Sequence, residues 1–233
     1  MGSKNRFAKE ILPIILKDRK ENQWYVEPFC GGCNLIDKVN GNRIANDINF
    51  YLIKMWIKLQ EGWIPKKDIS REEYNRIRDN KDDYDPWFVG YVGFNCSYSG
   101  KWFGGYAGKT KTKLGTIRDY QAEAYNNIMN QVPNLQGIQF NNKSYLDLNI
   151  PENSIIYCDI PYQGTTEYKD GFNYSVFYNW VRQMKLIGHE IFISEYNMPD
   201  DFKCIWQKQV SSSLSANGKC GGNKLSIEKL FTL

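Results

Sequence analysis

The order of predicted elements at the start of the chain restricts the fold more than any other feature. Gln23 to Pro28 has the composition of a short strand and leads into the glycine turn Gly31-Gly32. Leu35 to Val39 predicts a helix start, Arg43 to Ala45 predicts a second strand, and the apolar run Asn49 to Leu59 has helical spacing. Strand, glycine turn, helix, strand and helix in this order are typical of an open α/β sheet with helices on both faces.

The same alternation returns in the C-terminal part of the chain. Ser154 to Cys158 predicts a buried strand, Tyr174 to Ile187 a helix, and Glu190 to Ser194 another strand. Cys204 to Val210 and Ser226 to Leu233 flank a glycine-rich turn, which indicates a closing hairpin. These elements together predict an α/β protein with a Rossmann-like doubly wound sheet and a C-terminal antiparallel hairpin.

The middle of the chain does not follow this alternation. Between Gly62 and Asn142, glycine, aromatic and basic residues accumulate. Ser70 followed by Glu73 is a capping-box signature, which indicates a helix start in this region. We therefore predict a catalytic domain made of residues 1–61 and 143–233, and a mostly helical and loop insertion at residues 62–142.

Charge is distributed unevenly within this insertion. The net charge of +4 is mild, but no acidic residue occurs from Pro86 to Arg118. Lysines neutralise phosphates and aromatic rings stack on bases, so Ser97 to Lys111 is the segment best suited to contact DNA. The alternative is that Trp87 to Phe94 is an ordinary core segment and that the lysines lie on a solvated loop. The residues predicted to bind DNA are Tyr98, Lys101, Trp102, Lys109, Lys111, Lys113 and Arg118.

The glycine turn VEPFCGGCN, Val26 to Asn34, follows a strand as a nucleoside-binding turn does. Glycine lets the backbone approach a ligand closely. Asp47 comes twenty residues after Glu27, at the end of the second strand, where it can accept hydrogen bonds from ribose hydroxyls. The GxGxxG spacing of a pyrophosphate site is absent, which favours a nucleoside without phosphates. The alternative is a tight turn with no ligand.

A second motif, Asp159-Ile160-Pro161-Tyr162, directly follows the strand Ser154 to Cys158. Methyl transfer to the exocyclic amine of a base requires acceptors for the amino hydrogens, and the Asp159 carboxylate and the Ile160 carbonyl can supply them. Tyr162 can stack on a base turned out of the duplex, and Pro161 stiffens the loop. The alternative is a surface Asp-x-Pro turn without a ligand.

These motifs resemble the D12 class of DNA adenine methyltransferases, to which the Dam enzymes belong. The opening Gly2 to Arg6 (GSKNR) is similar to that family's N-terminal motif, VEPFCGGCN to its cofactor turn, and Asn46-Asp47 to its ribose-binding acid. Asp159 to Tyr162 is similar to its catalytic DPPY, and Phe192 to Phe202 to the stretch after a later strand. The order of cofactor turn, insertion and catalytic motif matches the family's alpha arrangement.

The resemblance implies a function and a set of site residues. It implies transfer of the methyl group of S-adenosylmethionine to N6 of adenine in double-stranded DNA, with base flipping and with S-adenosylhomocysteine as the product. The candidate catalytic residues are Asp159, Ile160, Pro161 and Tyr162. The candidate cofactor-binding residues are Lys4, Phe29, Cys30, Gly31, Gly32, Asp47, Ser144, Tyr145 and Asp159.

The chain departs from the family pattern at two positions. Cys33 stands where the cofactor turn usually has its second glycine, and a positive φ there would cost about 1 kcal/mol. Ile160 replaces the first proline of DPPY, and we expect it to act through its backbone carbonyl. These departures motivate one alternative, a DNA-binding protein with impaired catalysis. Amino methylation of cytosine in DNA is the other alternative.

Composition bears on location and on metals. The six cysteines are scattered and the single histidine, His189, has no catalytic partner in sequence, so we expect no metal site. Redox chemistry at the Cys30 and Cys33 pair is a further alternative. Apolar runs are far shorter than a membrane span and the N-terminus is polar, so we expect a soluble, intracellular protein. The resemblance implies the cytoplasm of a bacterial or phage-infected host cell. No pattern specifies the recognition sequence, the oligomeric state, or a role in restriction-modification, regulation or phage self-protection.

Overall fold

A computed structural model describes residues 4–112, 115–163, 171–212 and 224–233 of the chain. The α-helices are α1 (Ala8–Ile15), α2 (Phe50–Gln60), α3 (Arg71–Asp79), α4 (Pro86–Asn95), α5 (Tyr120–Gln131) and α6 (Tyr174–Leu186). The strands are β1 (Tyr25–Glu27), β2 (Arg43–Asn46), β3 (Lys109–Lys111), β4 (Ile117–Asp119), β5 (Ile138–Asn141), β6 (Ile155–Asp159), β7 (Glu190–Ser194), β8 (Lys203–Ser212) and β9 (Lys224–Thr232).

Seven of these strands form one sheet in the order β5-β2-β1-β6-β7-β9-β8. The first five strands of this order pair in parallel, whereas β9 runs antiparallel to both β7 and β8. The chain first builds the sheet from β1 toward β5 and then returns to add β6 on the other side of β1. The sheet therefore reverses its strand order between β1 and β6, which is where open α/β sheets bind ligands. The predicted mixed α/β, Rossmann-like fold with a C-terminal hairpin is confirmed.

Successive residues of the central strands face opposite sides of the sheet, and both sides are covered. Tyr25 and Ile155 pack in the core on the side of α1, α2 and α4, whereas Val26 and Ile156 pack on the side of α6. A strand that is buried on both faces must be apolar throughout. This requirement explains the unbroken apolar run at Ser154 to Cys158.

Side-chain caps set where the long helices begin. The Asn49 side chain accepts from the amide of Leu52 at the start of α2, and the Ser70 Oγ accepts from the amide of Glu73 at 3.1 Å at the start of α3. Each bond satisfies one of the amides that a helix N-terminus leaves without a partner. The helix starts predicted at Asn49 and Ser70 are thereby confirmed.

The helix predicted from Leu35 to Val39 is wrong. The structure has a single turn of 3-10 helix at Ile36–Lys38, and Val39 is already extended. The glycine turn takes up the first part of the connection between β1 and β2, and only residues 34–42 remain between this turn and β2.

The predicted insertion contains α3, α4, α5 and the small β3-β4 hairpin, but one of its predicted parts belongs to the sheet. Residues 138–141 form β5, which pairs with β2 along its whole length. The boundary at residue 142 is therefore too late, because β5 needs the ladder of β2 to satisfy its backbone. The division of function between the two parts stays a prediction.

No helix among the described residues is long and apolar enough to cross a membrane. The glycine-rich turn predicted at residues 217–223 lies outside the described residues, as do Lys113 and Cys220. The antiparallel hairpin that flanks this turn is confirmed by the pairing of β8 with β9.

Gly90 allows α4 to pack closely on α2, so we expect Gly90→Ala to destabilise the protein. A Cβ at this position would lie 2.2 Å from the carbonyl oxygen of Tyr51, which is backbone and cannot move aside. We expect a loss of about 2 to 3 kcal/mol in the free energy of unfolding, measured in urea, as for overpacked cores. Lys54→Ala on the exposed side of α2 is the control, and equal stability of both variants would contradict this close packing.

Candidate functional site

One cavity of about 590 Å³ lies at the carboxyl ends of the parallel strands. Its walls include every residue predicted to bind the cofactor or to act in catalysis. These residues come from chain segments far apart in sequence, and they meet because β1, β2, β5 and β6 all end at this edge. The structure thus brings the predicted set together, while the binding roles of its members stay predictions.

The glycine turn between β1 and β2 forms the floor of this cavity and is held from several sides. The Gly31 amide donates to Asp47 Oδ2 at 3.1 Å, and the Trp56 indole N–H donates to the Gly31 carbonyl at 2.9 Å. The side-chain amide of Gln131, at the end of α5, donates to the carbonyls of Gly32 and Cys33 at 3.0 and 2.9 Å. The insertion therefore takes part in shaping the turn.

Cys33, the last cysteine of the turn, adopts a left-handed backbone conformation. Its φ is +52°, in the left-handed region where glycine is usual. Its amide donates to the Cys30 carbonyl at 2.7 Å, and its side chain is fully buried in the core beneath the turn. The hydrogen bonds and apolar burial offset the strain of about 1 kcal/mol.

Asn46 is a site residue whose role the sequence analysis missed. It is fully buried, and its side-chain amide donates to the carbonyls of Pro28 and Lys143, both at 3.0 Å, while its Oδ1 accepts from the Lys143 amide. One side chain thereby fastens the loops that follow β1 and β5 to the end of β2. The signal available in the sequence was an asparagine at the end of a predicted strand, since a side-chain amide that becomes buried there must find hydrogen-bond partners.

Asp47 comes directly after the end of β2, accepts a hydrogen bond from the glycine turn and lines the cavity. Its two carboxylate oxygens accept from the amides of Gly31 and Asn49. Burial raises the pKa of Asp47 although these two hydrogen bonds favour the ionised form. Each oxygen keeps a second lone pair, so the carboxylate can accept from hydroxyls of a bound ligand as well.

Aromatic rings form the apolar wall of the cavity. The ring centroid of Phe29 lies 5.1 Å from that of Tyr145 and 5.8 Å from that of Phe172. Ser144, just before Tyr145, caps a short 3-10 helix by accepting from the Leu146 amide at 3.3 Å. This wall is suited to contact a flat heterocycle.

Asp159 ends β6 beside the glycine turn, because β6 is the neighbour of β1 in the sheet. A quarter of its side-chain surface is exposed, and this part faces the cavity. Burial raises the pKa of Asp159 to about 6, although the ammonium of Lys4, 3.4 Å from Oδ1, favours the ionised form. The carboxyl is therefore ionised at neutral pH.

The rest of the predicted catalytic loop is anchored on both sides. The Ile160 side chain packs into the core on the α6 side, and the Pro161 carbonyl accepts from the Tyr174 hydroxyl at 2.9 Å. Glu195, which follows β7, accepts from the Gln163 amide at 3.0 Å. Side-chain packing at Ile160 and these two hydrogen bonds therefore hold the loop in place.

Two residues of the cavity that the sequence analysis did not predict are acidic. Glu27 is buried at the end of β1 and accepts from the Tyr25 hydroxyl at 3.0 Å, and Glu228 comes from the last strand, β9. Burial raises the pKa of Glu27 to about 8. Glu27 could have been found from its position at a strand end, whereas no local pattern marks Glu228.

Those residues predicted to bind DNA that the structure describes lie outside this cavity, on the insertion. Tyr98, Lys101, Lys109 and Lys111 are exposed. Arg118 is exposed too, but its Nε and Nη2 atoms each donate to the Glu123 carboxylate at 2.8 Å. Lys109 lies 3.5 Å from Asp119. Lys113 lies outside the described residues.

Trp102 differs from the other predicted DNA-binding residues, because its ring is used in packing. It stacks on Tyr51 at 5.2 Å, lies 4.8 Å from Phe94, and covers Gly93 of α4. The alternative interpretation, in which aromatic residues of the insertion form an ordinary core, therefore applies to Trp102 as well. A contact of its exposed edge with DNA stays a prediction.

The donor set of the cavity fits S-adenosylmethionine. Its carboxyl groups, at Glu27, Asp47, Asp159 and Glu228, exceed its lysines, at Lys4 and Lys143. Burial raises the pKa of Glu27, Asp47 and Asp159, and a cationic ligand favours the ionised form of a nearby carboxyl. The cavity volume lies in the usual range for such ligands. Among the described residues, no cluster of three or more His, Cys, Asp or Glu side chains is arranged to hold a metal ion.

Comparison with known proteins agrees with this site. Residues 1–183 match the family described as D12 class N6 adenine-specific DNA methyltransferase. The chain therefore belongs to the D12 class of N6 adenine-specific DNA methyltransferases, and S-adenosylmethionine is its cofactor. A search of curated proteins returned no match.

One solved structure similar to the chain is that of SMU.472, described as a methyltransferase complexed with SAH. The two share 12% sequence identity with a TM-score of 0.41, and the alignment covers 99% of this chain and 52% of the other. The chain thus spans about half the length of that protein. A likeness this distant carries no argument about the site.

Glu27 makes stability depend on pH, and we expect Glu27→Gln to remove this dependence. The folded-state pKa of about 8 lies above the ordinary value of 4.5, so the folded state holds a proton that the unfolded state releases. Its stabilisation is full below the unfolded pKa and is lost as pH rises through the folded pKa. Urea unfolding without cofactor should show the variant more stable than wild type at about pH 9, by on the order of 1 kcal/mol or more, and similar at about pH 5.

The control for this measurement is Glu21→Gln, which makes the same change at an exposed position. We expect its stability to follow the wild type at both pH values. A Glu27→Gln variant that also follows the wild type would show that Glu27 is ionised in the folded protein.

Proposed function

We propose that the protein transfers the methyl group of S-adenosylmethionine to the N6 amino group of adenine in duplex DNA, with the target base flipped into the cavity. The observation that carries this proposal is the position of Asp159. Its carboxylate lies at the end of β6, in the same cavity as the glycine turn and Asp47 and within 3.4 Å of the Lys4 ammonium. An acceptor of this kind is what an amino-group nucleophile requires.

The cofactor would lie between the glycine turn and the aromatic wall. Phe29 and Tyr145 would contact its adenine, Asp47 would accept from its ribose hydroxyls, and Gly31 would let the backbone approach it. Lys4 would lie near the methionine carboxylate. When bound, the cofactor supplies an electrophilic methyl carbon on a cationic sulfur, which leaves as a neutral thioether.

Asp159 and Ile160 would orient the target amine. The Asp159 carboxylate and the Ile160 carbonyl each accept one N6 hydrogen, which turns the nitrogen lone pair away from the purine ring and toward the methyl carbon. On taking the methyl group, the nitrogen would become positively charged. The Asp159 carboxylate stabilises this charge and accepts the proton that the methylated nitrogen releases.

Tyr162 supports the flipped base in this proposal. Its ring lies edge-to-face with that of Tyr196, with the centroids 4.5 Å apart, and both rings line the cavity. A base outside the duplex loses its stacking partners, and an aromatic ring replaces part of that energy. Adenine at this position would have its exocyclic amine next to Asp159.

The insertion would hold the duplex. The β3-β4 hairpin forms a sheet of its own, separate from the central one, and carries Lys109, Lys111 and Arg118 on exposed backbone. A two-stranded ribbon of this kind fits a DNA groove, and its lysines neutralise phosphates. Cellular DNA as the substrate would place the protein in the cytoplasm of a bacterial or phage-infected cell.

Asp159→Ala should abolish methylation while cofactor binding is largely kept. The substitution removes an acceptor of the amine but leaves the glycine turn, Asp47 and the aromatic wall in place. Tritiated S-adenosylmethionine, DNA and nucleoside analysis measure the first effect, and calorimetry with the cofactor measures the second. Asp200→Ala, at an exposed position, is the control and should behave as the wild type. Equal loss of methylation and of cofactor binding would assign Asp159 a structural role.

The wild type in the same assay separates the other functions. Label in cytosine, RNA or protein alone would exclude adenine methylation of DNA. DNA binding without cofactor binding would identify a protein that has lost catalysis. Loss of function on replacing Cys30 and Cys33 with serine would favour redox chemistry, whereas methyl transfer predicts at most a partial loss.

Lys111→Ala should weaken DNA binding more than Arg118→Ala. Lys111 is exposed on β3, whereas the charge of Arg118 is already matched by Glu123. Losing one phosphate contact should lower the slope of log affinity against log salt by about 1. Fluorescence anisotropy with a labelled duplex at several salt concentrations measures this slope. A larger effect of Arg118→Ala would mean that Arg118 leaves Glu123 when DNA binds.

A further inference from the structure

Glu228 lies in the cavity although it belongs to the last strand of the chain, outside the residues that match the family. β9 runs antiparallel to β7, with Leu230 opposite Ser194. The residues before Leu230 therefore lie beyond the end of β7, at the same edge of the sheet as the glycine turn and Asp159. This placement gives the C-terminal hairpin one side chain in the site.

The carboxylate of Glu228 is nearly buried and holds two groups. Its Oε2 accepts from the Lys4 ammonium at 2.8 Å and from the Tyr162 hydroxyl at 3.0 Å. Lys4 also donates to the Tyr162 hydroxyl and lies 3.4 Å from Asp159 Oδ1. One lysine is thus shared by two carboxylates, and one of these carboxylates also orients the ring proposed to stack on the base.

We propose that Glu228 is a positioning residue for methyl transfer, which holds the Lys4 ammonium and the Tyr162 ring in place beside Asp159. The inference rests on the proposed function and assigns to it a residue of the C-terminal hairpin. Glu228 acts through Lys4 and Tyr162 and does not itself contact the amine. A displacement of about 1 Å at such a site costs up to about 100-fold in rate.

The same geometry gives Glu228 an electrostatic effect on Asp159. Burial holds the pKa of Asp159 above the ordinary range, Lys4 acts in the opposite direction, and the negative charge of Glu228 raises the pKa further. Asp159 must be ionised to accept from the amine, so kcat/KM for S-adenosylmethionine, which reports the pKa of the protein without bound cofactor, should fall as pH drops through about 6. The titratable groups around Asp159 are Lys4, Glu27, Tyr157, Cys158, Tyr162, Glu195 and Glu228.

Glu228→Gln tests the electrostatic part. Glutamine keeps the shape and can still accept from Tyr162, but it removes the negative charge. The pKa of Asp159 then falls, so the acid limb of the kcat/KM profile for S-adenosylmethionine should move to lower pH by about half a unit or more. Glu152→Gln, an exposed substitution of the same kind, is the control and should leave the limb in place. A residue that only supports the fold would change the rate at all pH values without moving the limb.

Glu228→Ala tests the positioning part, because it removes the acceptor as well as the charge. We expect kcat at about pH 8 to fall about 10-fold or more, with the Kd of S-adenosylmethionine changed less than about 3-fold. Glu228→Gln should recover most of this rate at the same pH. Circular dichroism and urea unfolding show whether each variant folds. If Glu228→Ala does not fold, the pH profile of Glu228→Gln decides whether Glu228 has the proposed role.

The outcomes separate this inference from the proposed function. A wild type that does not methylate adenine in DNA overturns the proposed function. If the wild type is active, an unchanged acid limb in Glu228→Gln together with an unchanged kcat in Glu228→Ala overturns the role of Glu228 alone.

Discussion

The parallel pairing of β1 with β6 is the constraint on which the rest of the structure depends. Because these strands are neighbours and run in the same direction, the glycine turn after Glu27 and the loop after Asp159 meet at one edge of the sheet. Their residues are separated by more than half of the chain, and the insertion lies between them. Because β1 and β6 pair directly, the insertion can extend away from the sheet while the glycine turn and the loop after Asp159 stay together.

Burial of carboxylates is the energetic cost of this arrangement. Four carboxyl groups from β1, β2, β6 and β9 line one cavity, and burial raises the pKa of Glu27, Asp47 and Asp159. Lys4 offsets part of this cost by pairing with two of them. A cavity with more acid than base favours a cationic ligand, and the cofactor carries a cationic sulfur.

The insertion is structurally part of the site as well as a DNA-binding candidate. Helix α5 begins directly after the β3-β4 hairpin and ends at Gln131, whose amide holds the carbonyls of the glycine turn. Trp102 packs between α2 and α4 and so supports the region from which the hairpin extends. Helix α5 thus contacts both the exposed β3-β4 hairpin and the glycine turn of the cavity.

The sequence by itself determined the fold class, the buried strands and most of the cavity, because strand ends, glycine turns and acids after strands are local patterns. It also indicated that Cys33 replaces a glycine, and the positive φ there follows from that position. Only the tertiary structure decided that β5 belongs to the sheet, that Trp102 packs against α2, and that Glu228 reaches the site. These three depend on pairing between distant segments, and a local pattern carries no information about which strand or helix will be the neighbour.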